Sequence, residues 1–179
     1  MDSNNYWKIV GYLQAYADLK TCIDRNVFYT YMFESIDNTG NIEESLKKHF
    51  ADVEFVMSPS EILQDMDNNK IANKHKKCLD NCRLQLKKIP DWNEDLSKAF
   101  TFWIKGLFNV QDDNSKIDNA YNCFYDLLSE AFEYQKIDVL MFDKEDYEFI
   151  RKFFGFVICD IYIFVTCEKI YILSFGLND

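Results

Sequence analysis

A chain of 179 residues with five glycines, two prolines and two histidines excludes most familiar active-site architectures. Gly11, Gly40, Gly106, Gly155 and Gly176 stand alone, so no glycine-rich loop lets backbone amides approach a phosphate, and the usual zinc ligand and acid–base residue is limited to His49 and His75. A net charge of −10 repels nucleic acid and anionic lipid, and a 48% hydrophobic, 17% aromatic composition excludes disorder.

The length fits a single globular domain over residues 1–179. In residues 5–23, Ile9, Leu13, Tyr16 and Ile23 fall near one face, which predicts a helix. The aromatic stretch 27–33 reads as a second helix or a continuation of the first. Asp37, Asn38, Thr39 and Gly40 signal a turn, and Leu46 and Phe50 place a short helix over 42–50. Residues 53–57 alternate as a strand. Ser58, Pro59, Ser60 and Glu61 combine a capping serine, a first-turn proline and a glutamate three residues after the cap. That signature predicts a helix from Pro59 to about Lys88, ended by Pro90, although its section 67–77 is almost wholly polar.

Residues 93–108 give the best amphipathic helix, with Leu96, Phe100, Trp103 and Leu107 on one broad face. Ser115 caps a further helix reaching Tyr134. Residues 137–142 read as a strand or buried connector, and Asp143 caps a helix ending near Gly155. Residues 156–167 and 170–175 are β-branched and aromatic, which predicts a hairpin. They do not read as a membrane span, which needs roughly 20 apolar residues, because Asp160, Glu168 and Lys169 interrupt them. The expected class is α+β and predominantly helical, with about five to seven helices on a small antiparallel sheet or hairpin at the C-terminus.

Chemistry-bearing groups are few. His75, Cys78 and Cys82 share one helix face and form a candidate metal or thiol site. Lys70, Lys74, Lys76 and Lys77 surround it with positive charge, which opposes a divalent cation; the alternative is cysteines packed on the core. Cys123, Cys159 and Cys167 lie in apolar runs and read as core residues. The first residues lack a basic region followed by an apolar run, so a cytoplasmic setting with reduced thiols is expected. No catalytic residue and no cofactor is assigned.

The acidic residues Asp112, Asp113, Asp143, Glu145, Asp146 and Asp160 are the candidate contacts to a basic protein partner. Helix capping and solvation are the simpler reading of the first five. Asp160 is the oddest, because a carboxylate within an apolar strand is costly. It starts the strand at an edge, pairs with a base such as Arg151, or faces a partner. Tyr162, Tyr171 and Phe175 line a groove or fill the core.

The last segment, 170–179, reads Ile-Tyr-Ile-Leu-Ser-Phe-Gly-Leu-Asn-Asp. It resembles the C-terminal strand and glycine-containing tail of bacterial polymorphic-toxin immunity proteins. The resemblance implies a cognate toxin as partner and assigns no functional residue. The leading reading is an acidic binding module that blocks a basic partner's active surface. The alternatives are a small metal-binding or thiol enzyme using His75, Cys78 and Cys82, and a viral or phage host-interaction protein. Neither nucleic acid nor membrane is an expected partner.

Overall fold

Period-two alternation, rather than a helical stripe, governs residues 28–37. In the computed structural model, which describes residues 1, 3–24, 27–52, 79–80, 83–105, 107, 113–133, 137–143, 146, 150–151 and 156–178, this stretch is strand β1 (Phe28–Asp37). Tyr29, Tyr31 and Phe33 point to one side; Met32 and Ile36 point to the other. The expected helix there is overturned by pairing along the whole strand, from Phe28 opposite Asn178 to Asp37 opposite Lys169.

The sheet is completed by β2 (Leu86–Lys88), β3 (Asp138–Phe142), β4 (Ile158–Val165) and β5 (Lys169–Asn178). Its order is β1-β5-β4-β3-β2 and every pairing is antiparallel. The hairpin expected at the C-terminus is therefore the centre of a larger sheet. Among the described residues there are four helices: α1 (Ser3–Ile23), α2 (Ile42–Asp52), α3 (Trp92–Ile104) and α4 (Asp113–Ala131). The class is α+β, but the five to seven helices and the small sheet are corrected to four helices and five strands. The helix expected to reach Lys88 gives way to β2, because residues 86–88 pair with β3. Residues 53–57 and most of 59–82 lie outside the described residues.

Alternation also sorts the two faces by chemistry. One face carries Tyr31, Phe33, Tyr162, Phe164, Tyr171 and Phe175 against α1, α3 and α4. The other carries Cys159, Ile161, Ile163, Ile170 and Ile172 against Leu46 and Phe50 of α2, with Ile150 and Phe156. Tyr162, Tyr171 and Phe175 are thus core residues and line no groove. Of the cysteines expected inside, Cys159 is buried while Cys123 and Cys167 are exposed. Both sheet edges are managed. On β1, the Tyr6 hydroxyl donates to the Phe33 carbonyl (2.9 Å) and the Tyr29 N–H donates to Thr21 Oγ1 (3.0 Å), so α1 takes up edge groups. β2 is three residues long and carries exposed Lys87 and Lys88. Among the described residues, no helix is long and apolar enough to cross a membrane.

Candidate functional site

Strand register brings three ends together. Leu177 of β5 lies between Tyr29 at the start of β1 and Ile158 at the start of β4. Above them, α1 contributes Lys20 from its last turn, and α3 contributes Phe102 and Trp103, followed by Lys105. These seven residues line a groove of about 330 Å³. That is near the lower limit of ligand sites, about 300–1,000 Å³, and suits one long side chain.

The groove is held by the C-terminus of α3. The last carbonyls of a helix need partners from outside it. Here the Tyr31 hydroxyl donates to the Trp103 carbonyl (2.7 Å), and the Lys20 ammonium donates to the Lys105 carbonyl (2.8 Å). The same ammonium lies 3.0 Å from the Asp24 carboxylate and 5.3 Å from the centre of the Tyr29 ring. The Tyr29 hydroxyl donates to Asp24 at 2.8 Å. Asp24 is held below the ordinary carboxylate range by Lys20 first and Tyr29 second. Tyr29 is pushed up to about 12, chiefly by burial and then by Asp24.

Trp103 forms the inner wall. Its ring stacks on Phe175, with centroids 6.3 Å apart and planes 16° apart, and its indole N–H donates to Asp160 Oδ2 at 2.6 Å. Asp160 follows Ile158 on the same face of β4, since strand side chains alternate. Burial pushes its carboxyl above the ordinary range; the Trp103 N–H pulls it back and Asp95 adds to the rise. Asp95 sits on α3, where it accepts from the Tyr162 hydroxyl at 3.2 Å.

Around the mouth lies an apolar rim. Phe102 is 61% exposed and Ile158 49%. Phe28, Val157 and Ile23 are exposed elsewhere on the surface; Val157 donates its N–H to the Leu177 carbonyl and Ile23 closes α1. Sequence reasoning did not assemble this groove, because its residues come from five elements. One signal was available: Phe102 falls off the stripe of Leu96, Phe100, Trp103 and Ile104, all buried, so the spacing already turned an aromatic ring toward solvent.

The sequence-derived candidates lie apart. His75, Cys78, Cys82, Asp112 and Glu145 lie outside the described residues, and Asp113 opens α4. Asp143 and Asp146 meet at Gln85: the Asp143 N–H donates to its carbonyl at 2.8 Å, and the Asp146 carboxylate accepts its N–H. Asp160 alone of this set adjoins the groove. Arg151, its suggested partner, donates to the Phe156 and Val157 carbonyls instead. Among the described residues, no group of three or more His, Cys, Asp or Glu is placed to hold a metal.

Asp160 carries a stability signature. A carboxyl whose folded pKa is raised binds its proton more tightly when folded. Its penalty is absent below the unfolded value of about 3.9, grows as pH rises from there to the folded pKa, and is full above the folded pKa. Asp160→Asn keeps an acceptor for Trp103 and removes the buried charge. It should stabilise the chain by about 1 kcal/mol at pH 7, or roughly 2–4 °C in Tm. The gain should vanish in acid. Calorimetry across pH checks this; a loss of stability at pH 7 contradicts it.

No protein-family model, curated protein or solved structure matches this chain.

Proposed function

We propose that this chain is a cytoplasmic protein-binding module of the immunity type, which neutralises a basic partner by seating the aromatic end of its sheet on that partner's active surface. One observation carries the reading: exposed Phe102 and Ile158 line a groove built from five elements. Clustered apolar side chains of this kind mark interaction surfaces, and aromatic anchors in well-packed pockets dominate interface energies. The net charge of −10 supplies steering toward a basic partner without fixing the contact. The segment resembling immunity proteins, 170–179, covers β5 from Ile170 onward, and Leu177 of that strand lines the groove.

The test is capture from an extract of the source cell on immobilised chain. Phe102→Asp and Ile158→Asp replace exposed side chains, so folding should survive. Each should weaken retention of the captured protein about 30-fold, equivalent to losing an anchor worth about 2 kcal/mol. Trp7→Asp, on exposed Trp7 of α1 away from the groove lining, should leave retention unchanged. Equal retention by all folded variants sinks the groove as the contact surface.

A further inference from the structure

The binding reading above leaves open which chemical group enters the groove. We propose that the groove receives a glutamate side chain of the partner, with the carboxylate between the Lys20 and Lys105 ammoniums and the stem on Phe102, Ile158 and Leu177. The inference rests on that binding reading and names the group the groove takes.

Three observations converge on an anion. The first is the sign of the lining. Both of its formal charges, Lys20 and Lys105, are positive, on a chain whose net charge is −10. They are also held together: the Lys20 ammonium donates to the Lys105 carbonyl at 2.8 Å, so α1 fixes the residue that carries the second ammonium. The net charge acts on a partner at long range and is screened by salt; a side chain entering the groove meets the two lysines at contact.

Second, donor capacity is left over. An ammonium carries three donors. Those of Lys20 meet the Lys105 carbonyl and the Asp24 carboxylate, and no further oxygen accepts from them among the described residues. The Lys20 side chain is only 12% exposed, so its pull on an incoming oxygen acts through a lower dielectric than that of a surface lysine. Lys105 is exposed, and its ammonium makes neither an ion pair nor a hydrogen bond among the described residues.

Third, the size of the charge and the apolar lining suit a carboxylate on a hydrocarbon stem. Asp24, held below the ordinary carboxylate range by Lys20 and then Tyr29, cancels one of the two ammonium charges. One positive charge remains, which a single carboxylate neutralises; a phosphorylated side chain, at about −1.5 to −2, overshoots it. Asp160 stands outside the lining, where burial disfavours its charged form. Trp103 closes the inner side, packed on Phe175 and 2% exposed, and offers no free ring face to a cation. Exposed Phe102 and Ile158, with Leu177, cover the methylenes of a glutamate stem.

The probe is N-acetyl-glutamate α-amide, titrated at fixed ionic strength into 15N-labelled chain while the Lys105 amide and Trp103 indole resonances are followed. A saturable shift is expected, with a Kd of about 1–10 mM for a ligand of this size, and none from N-acetyl-glutamine amide at equal concentration. Lys105→Gln should raise the Kd about threefold to fivefold, the worth of one exposed ion pair, and Lys105→Glu should raise it further. Lys98→Gln removes the same charge from α3 outside the lining and should leave the Kd unchanged. The inference is overturned if the glutamine amide shifts the resonances equally, if N-acetyl-arginine amide or free hexanoate binds more tightly, if Lys105→Gln binds unchanged, if Lys98→Gln weakens binding as much, or if the glutamate probe does not saturate. The capture experiment keeps the two readings apart. A flat glutamate titration alongside lost capture by Phe102→Asp discards the carboxylate and leaves the binding surface standing. Unchanged capture by Phe102→Asp with a lysine-dependent glutamate shift does the reverse.

Discussion

Replacing Phe100 by alanine should cost about 3–5 kcal/mol of folding free energy, read as a large drop in the urea midpoint at unchanged slope. Phe100 is fully buried where α1, α3, α4 and the sheet meet. Its ring stacks on Phe124 at 5.1 Å and meets Tyr16, Tyr121 and Phe175 at 5.7–6.1 Å. The size of the loss depends on whether neighbours can close the space left behind. Here they are pinned. The Tyr121 hydroxyl donates to the Asn93 carbonyl at 2.8 Å, and the Tyr12 hydroxyl, beside Phe124, donates to the Ala120 carbonyl at 2.7 Å. Closing the cavity would break these bonds, so most of it stays open. Phe102, two residues along the same helix, is the internal control. It is 61% exposed, and Phe102→Ala should change stability by no more than about 0.5 kcal/mol. Two phenylalanines on one helix should thus separate by several kcal/mol; equal losses would falsify the assignment of the buried face.

That contrast shows what local pattern carries. In α3, Leu96, Phe100, Trp103 and Ile104 recur at helical spacing and are all buried. In α4, Ile117, Tyr121, Phe124 and Leu128 do the same. Both helices were legible from the sequence for that reason, as was the hairpin of β4 and β5. The first strand was not. In β1, Tyr29, Tyr31 and Phe33 alternate as a strand should, but Met32 and Ile36 pack on the other face. A strand covered on both sides reads as an unbroken apolar run, which period alone does not separate from a buried helix. The short β2 has no local signal, since Lys87 and Lys88 are exposed and their strand state comes from pairing with Met141 and Leu140. The carboxylates at 143 and 146 read as helix-start charges, yet Asp146 holds the Gln85 N–H, a contact 61 residues back along the chain. Asp160 stood out because a lone carboxylate in an apolar strand demands an explanation. Its neighbour Trp103 lies 57 residues away in sequence, so the groove they share had to await the fold.

Gly176→Ala should destabilise the chain by about 2–3 kcal/mol, although the same change at an ordinary strand position is favourable. Gly176 sits in β5, a strand paired on both sides, opposite Thr30 and Cys159. Only close approach demands glycine here: a Cβ would lie 2.2 Å from Phe156 Cε1, with two further ring carbons at 2.4 and 2.5 Å. The Phe156 ring has nowhere inexpensive to go. It is buried in the aliphatic core, and its backbone is tied to Arg151 twice, by its own N–H to the Arg151 carbonyl (3.0 Å) and by the guanidinium to its carbonyl (2.9 Å). Truncating the ring makes room, so a double-variant cycle with Phe156→Ala isolates the clash. Gly176→Ala should cost far less in the Phe156→Ala background, giving a coupling of about 1–3 kcal/mol. Full additivity, or a rise in Tm for Gly176→Ala alone, contradicts the contact. The strain should also reach the groove, because Leu177 follows Gly176 and Ile158 comes two residues after Phe156. A folded Gly176→Ala chain should therefore show a displaced Trp103 indole resonance, whereas damage confined to the aliphatic face would leave that resonance in place.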